Sequence, residues 1–295
     1  MGRLFKAFLF KISRDLTFRI TLIIGVAVAV FMTLIYLAVD LGLDTGLGGS
    51  KMLTGPNMLV NSLSPVQNFG IAIPVNLITF TCLEFTQGTI RNKIIAGNSK
   101  FKIYASLCIS GLIFAFSLLI VYVGLCTLLG TIFGGFDLDK PMLVGLAQTT
   151  VNKSYIPLLL LFAALSYVSI VMFTIFFAAL FRNIGPSIPV VMIVLMILYF
   201  GAYIVSAMAM FFDDSPLVMV MKIIDPIYAI SGGTDLHAVT ETFTDPMTGE
   251  VYTSETYDYA YFATDTIICT IVNNLVYAGL FFGLGALIFS KRDVK

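Results

Sequence analysis

Charge is what this sequence has least of. Asp, Glu, Lys and Arg make up 12% of its 295 residues, against 58% hydrophobic, and the mean hydropathy is +0.97. Soluble domains run near roughly a quarter charged, so this balance excludes a globule wetted on every side. Histidine is scarcer still. With His237 alone, there is no HExxH and no His/Cys cluster, so a zinc protease is excluded on ligand count and no metal is expected. His237 itself reads as a solvated loop residue. The cysteines Cys82, Cys108, Cys126 and Cys269 sit in or beside apolar runs without paired spacing. That excludes a disulfide framework and leaves them as small apolar packing residues.

Nucleotide chemistry is missing as well. "GLGGSK" at 46–51 resembles a phosphate loop only briefly. Ser50 precedes Lys51 where a hydroxyl residue should follow, and no apolar strand leads in. No Ser or Cys nucleophile lies near a base within an apolar run, which makes an intramembrane enzyme a remote reading. No acid or base is placed at mid-bilayer, an argument against a carrier driven by protons or sodium through a buried carboxylate. Glu84 and Asp265 fall near the ends of apolar runs. Any transport must therefore be energised from outside the chain. The N-terminus has bases but no short apolar core with a cleavage site, so it is expected to be retained. Met-Gly-Arg-Leu-Phe-Lys also lacks the Ser or Thr of a myristoylation signal.

What the chain has in abundance is long apolar runs. A bilayer core of about 30 Å needs roughly 20 residues of helix. Six stretches meet or approach that length: 19–39, 69–86, 103–133, 155–181, 187–212 and 263–290. The second is the weakest, being interrupted by Pro74, Asn76 and threonines. The expected fold is an all-α membrane protein of one transmembrane domain, residues 1–295, with six spans and both termini on one side.

Formal net charge is zero, which speaks against a nucleic-acid partner, but the charges are segregated. The N-terminal arm (Arg3, Lys6, Lys11, Arg14, Arg19), the 82–104 loop (Arg91, Lys93, Lys100, Lys102), Arg182 and the tail (Lys291, Arg292, Lys295) hold thirteen of the seventeen bases. Lys51, Lys140, Lys153 and Lys222 are on the other side. Of the acids only Asp15, Glu84 and Asp293 share the basic side. The positive-inside rule makes the basic side, with both termini, cytoplasmic in a multi-pass membrane protein. Within 1–17, Leu4, Phe5, Phe8, Leu9 and Ile12 recur at helical spacing among bases, as in an interfacial amphipathic helix on membrane lipid. Outside, 40–68 reads as loop, and a short interfacial helix is expected around Pro141–Thr149. The segment 213–262 is acidic and Tyr-rich. Its turn signal at Asp245–Gly249, between residues of strand propensity, suggests a small β-hairpin before the sixth span.

The polar residues of the apolar runs are amides and hydroxyls: Asn76, Ser166, Tyr167, Ser169, Asn273 and Asn274. Such groups are costly in hydrocarbon and should face other helices or a wet cavity. Interhelical hydrogen bonding is one reading; a translocation path or subunit seam is the other. In the inner loop, 86–95 predicts a short helix. Gly88 loosens its start and Gly97-Asn98 stops it, with Ile90 and Ile94 on one face, Ile95 beside them, and Arg91 and Lys93 elsewhere. This element is either a solvated loop that satisfies the charge rule or a knob for a soluble partner, and for Glu84 a structural role stays open, pairing with Arg91 or Lys93 or capping the helix that follows.

The pattern E-(x3)-GTIRNK-(x3)-G-(x)-S, from Glu84 to Ser99, resembles the permease subunits of ABC-2-type transporters, especially small Gram-positive ones. The terminal F-(x)-KRD at Phe289, Lys291, Arg292 and Asp293 resembles them too, and so does the six-span layout. The resemblance implies a half-transporter. A second permease, identical or homologous, would pair with this one, and separate cytoplasmic ATPases would bind ATP and Mg, leaving this chain without cofactor or enzymatic activity. It implies a coupling helix over Gln87, Gly88, Thr89, Ile90, Arg91, Asn92 and Lys93 up to Ile95, with Glu84 just ahead, and the N-terminal arm as connecting helix. It also implies export, of an amphipathic or apolar compound such as a peptide, drug or lipid-like molecule. The alternative is a non-transporting sensor or immunity module that binds a ligand through its acidic outer segment.

Overall fold

The structure is a computed structural model describing residues 10, 14, 16–42, 53–64, 70–138, 142–144, 149–151, 153–209, 220, 223–226, 235–244, 251–261 and 264–291. Its helices are α1 (Leu16–Gly42), α2 (Gly55–Leu63), α3 (Ala72–Thr86), α4 (Thr89–Ile95), α5 (Lys100–Gly134), α6 (Ile156–Phe181), α7 (Ile184–Ala209) and α8 (Thr264–Lys291). Five of these are long and apolar enough to cross a membrane: α1, α5, α6 with its leading 3-10 turn, α7 and α8. α3 is apolar but has fifteen residues, about 22 Å of helix. Most of the N-terminal arm lies outside the described residues; within it, the Arg14 guanidinium sits 4.4 Å from the centre of the Phe10 ring.

α6 is the central helix. Of its apolar window 67% is buried, against 17% for α8. It separates two apolar clusters. One gathers Leu107, Phe114, Tyr122, Tyr167, Ile175 and Phe289 around α5. The other gathers Ile78, Phe162, Ile170, Val191, Leu195 and Tyr199 between α3, α6 and α7. Lipid tails are as apolar as leucine, so these clusters hold through close packing more than through exclusion of water. The four cysteines are free, three of them buried.

The 40–68 segment is not a loop throughout. α1 continues to Gly42, and residues 55–63 form α2, nearly all of it buried. Thr54 caps α2 by accepting from the Asn57 N–H at 3.4 Å, and Pro56 occupies its first turn. Its polar residues close bonds inside their own helix: Asn61 Nδ2 donates to Asn57 O at 2.9 Å and Ser62 Oγ to Leu59 O at 2.8 Å. This self-satisfaction lets an Asn- and Ser-bearing helix be buried. It packs on α5 where Gly130 and Gly134 remove side chains. A Cβ on Gly130 would come 2.6 Å from Met58 Cγ, and one on Gly134 would strike the Leu53 carbonyl.

The segments before α6 and α8 also pair as strands. β1 (Met142–Val144), β2 (Thr149–Val151), β3 (Asp235–Thr244) and β4 (Val251–Tyr261) form one sheet of order β1-β2-β4-β3. This replaces the interfacial helix expected around Pro141–Thr149; Thr149, Thr150 and Val151 are β-branched and favour extended backbone. β3 and β4 are antiparallel from Asp235↔Tyr261 to Thr244↔Val251, with a register shift between Leu236 and Ala238. The turn expected at 245–249 lies outside the described residues. β2 and β4 pair in parallel at Val151↔Ala260. They precede α6 and α8, so the sheet ties together the N-terminal ends of these two neighbouring helices.

Candidate functional site

The candidate site begins at the end of α3. Gly88 has φ 67°, a left-handed conformation that side-chain-bearing residues resist, and it turns the chain from α3 into α4. The turn carries Glu84, 1% exposed. Its Oε2 accepts from Lys93 Nζ at 2.6 Å and from the Thr89 hydroxyl at 2.6 Å. Thr89 lies 2.9 Å from the Glu84 carbonyl oxygen as well. A buried carboxylate needs such partners, because an uncompensated charge at low dielectric costs several kcal/mol, about 3–5 when a partner is removed. Lys93 does not project away from the body of the protein. It folds back from α4, its side chain 20% exposed.

α4 is closed at its far end by a Schellman-type cap. Gly97 has φ 86°, its N–H donates to Ile94 O at 2.9 Å, and the Asn98 N–H donates to Lys93 O at 3.3 Å. The Asn98 side-chain amide adds a bond to the same carbonyl at 3.0 Å. Ser99 then caps α5 by accepting from the Lys102 N–H at 3.4 Å. Ile90 is fully buried in the α5 cluster, with Ile94 packed against it. Ile95 leaves that face and stands 74% exposed. Gln87, Arg91 and Asn92 are exposed beside it. The short helix is therefore held from behind and presents one apolar residue among amides and a guanidinium.

Neighbouring helices close around this element. Lys100 Nζ donates to Ser290 O at 3.0 Å, at the C-terminal and partially negative end of α8. Phe85 meets Phe289 edge-on at 5.9 Å, and the Arg182 guanidinium lies 5.5 Å from the Phe85 ring centre.

The polar residues of the apolar runs divide into four. Ser166, Ser169 and Asn274 come together between α6 and α8. Ser169 Oγ lies 2.8 Å from Asn274 Oδ1 and 3.0 Å from its carbonyl oxygen. Asn274 Nδ2 donates to Pro226 O at 2.9 Å and Ser166 Oγ donates to the same oxygen at 2.7 Å. Tyr277 donates to Ile224 O at 2.8 Å. Asn76 stands apart and donates to Ala72 O of its own helix at 2.7 Å. Asn273 lines a separate groove, and Tyr167 is buried in the α5 cluster.

Ser166 and Asn274 each lie about 15 Å along their helices from the N-terminal end. The backbone of 223–226 is therefore held well inside two helices long enough to cross a membrane. Non-helical backbone is tolerated there only where protein satisfies its polar groups, and three side chains do so. The segment also carries an acid, Asp225, 2% exposed, within electrostatic reach of the Tyr199 and Tyr277 hydroxyls. No acid was expected at this depth. The available signal is the apolar run over 216–230, PLVMVMKIIDPIYAI, which carries Asp225 within it.

Among the described residues no group of three or more His, Cys, Asp or Glu is placed to hold a metal ion. No family model matches the chain, and no curated protein or solved structure matches it. Its five long apolar helices are consistent with a multi-pass helical membrane protein.

Proposed function

We propose that the chain is the permease subunit of an ATP-driven, ABC-2-type transporter of the bacterial plasma membrane, with both termini cytoplasmic. In this reading α3 is a short sixth span, and β3 and β4 form a hairpin that caps the outer end. A second permease completes the path for an amphipathic or apolar cargo, which the resemblance of 84–99 to ABC-2 permeases makes an exported one. Separate cytoplasmic ATPases carry ATP and Mg.

The observation that supports it most is the exposed ridge of Gln87, Arg91, Asn92 and Ile95 on a helix clamped by the Glu84–Lys93 pair. A knob that receives force must not swivel on its base, and the buried pair with the two glycine-defined turns fixes that base. Arg91 and Ile95 supply charge and apolar contact of the kind that anchors protein interfaces. A sensor or immunity module acting through its outer strands needs no such braced inner ridge.

The test is purification of the full chain from its native membrane, followed by assay of Mg-dependent ATP hydrolysis. Hydrolysis should accompany the wild-type chain and be lost from Arg91→Glu and Ile95→Asp, with the yield of membrane-inserted chain unchanged. A wild-type preparation without hydrolysis, or variants that keep it, would overturn the reading.

A further inference from the structure

The groove lined by Asn273 has no role in the coupling surface or the α6–α8 knot. It has a cavity volume of ≈ 310 Å³ and is lined by Ile223, Ile268, Cys269, Val272, Asn273 and Val276. The α8 residues follow one helical face, and Ile223 from the 223–226 segment forms the opposite wall. Ile223, Ile268, Val272 and Val276 are each about half exposed, whereas Asn273 is 7% exposed. The walls are hydrocarbon and the floor carries an amide.

That amide differs from its neighbours. Asn61, Asn76 and Asn274 all donate their side-chain N–H groups to backbone carbonyls. Asn273 Nδ2 is buried and meets no acceptor. A buried donor without a partner costs free energy that an apolar residue of similar size would not. Lipid does not supply the partner. Asn273 lies about 7 Å outward of the α8 midpoint, whereas the ester oxygens of a resting lipid lie at the edge of the hydrocarbon, about 15 Å from the midplane.

We propose that this groove is a binding site for a small apolar compound carrying a hydrogen-bond-accepting oxygen, which Asn273 holds while the α8 face and Ile223 enclose its hydrocarbon. The volume is at the lower end of ligand pockets, about 300–1,000 Å³, which fits a short-chain ester or ketone and excludes a peptide. The site rests on membrane insertion alone, so it stands whether or not an ATPase docks at the inner ridge.

The experiment uses the full chain in phosphatidylcholine vesicles and a short-chain alkyl ester bearing a diazirine. Photolabelling should fall on residues 268–276 and be displaced by the unlabelled ester, but not by an alkane of equal length. Asn273→Leu should weaken labelling about tenfold, the equivalent of one hydrogen bond. Val276→Phe, which fills the groove and leaves Asn273 in place, should abolish it and keeps the test open if Asn273→Leu does not fold. Equal competition by the alkane, or wild-type labelling of either folded variant, would overturn the proposal. So would cross-linking of Cys269 between two copies that the ester does not reduce, because the groove would then be an interface.

Discussion

The inner clamp and the mid-membrane knot solve one problem with different chemistry. Each must fix backbone that is not continuous helix: the α3–α4 turn at Gly88 in the first case, the 223–226 segment in the second. The inner clamp uses an ion pair, Glu84 with Lys93, helped by Thr89. The knot uses two serines, an asparagine and a tyrosine, all neutral. Lys93 is one-fifth exposed and reaches water, so only one of the two charges is fully desolvated. At the depth of Asn274 neither charge would reach water, and neutral donors satisfy carbonyls without that penalty. Charge supplies strength where water is near; neutral groups supply direction where it is not.

The largest expected effect breaks the clamp. Lys93→Met leaves Glu84 buried and uncompensated, and should destabilise the chain by about 3 kcal/mol. Glu84→Gln combined with Lys93→Met removes both charges and should recover most of that loss, because a neutral amide still accepts from Thr89. Thermal unfolding in detergent measures both. A double variant no more stable than Lys93→Met alone would show that the carboxylate is not the cost. The knot should respond less. Asn274→Leu removes the bonds to Pro226 and Ser169, and the expected loss is about 1.5 kcal/mol. Hydrogen exchange at 223–226 should rise locally while exchange around Glu84 stays unchanged.

The two regions also differ in how far they are legible in the sequence. The inner one is local: Glu84, Gly88, Lys93 and Gly97 lie within fourteen residues, and helix periodicity with glycine conformation nearly dictates the turn. One side chain departs from the sequence reading, and another takes an ion pair which that reading left open for Glu84. Ile95 turns outward and Lys93 inward, because the carboxylate attracts the lysine. The knot is not local. Pro226 meets Asn274 across 48 positions and Ser166 across 60, and hydropathy marks an apolar run without saying which distant helices it meets. α2 escapes for a related reason. Its Asn and Ser content signals a loop, and only the bonds closed within the helix and the bare backbone at Gly130 and Gly134 allow its burial. The five long spans are legible because twenty consecutive apolar residues leave few alternatives.

A smaller effect sharpens the comparison at the end of α4. Gly97 has φ 86° with nothing within 4 Å of a built Cβ, so Gly97→Ala meets strain rather than a clash, about 1 kcal/mol. Gly97→Asn should cost less, since Asn tolerates the left-handed region. Equal losses in the two variants would mean that space, not conformation, sets the requirement.

The smallest effect on stability belongs to the exposed ridge. Arg91 and Ile95 are outside the clamp, and surface substitutions of this kind usually shift stability by no more than about 0.5 kcal/mol. Arg91→Glu should therefore unfold with the wild-type chain while losing the accompanying ATP hydrolysis. Lys93→Met should lose both together, because it loosens the base on which the ridge stands. If Lys93→Met is destabilised yet keeps hydrolysis at wild-type level, the ridge does not depend on its clamp, and the buried ion pair serves folding alone.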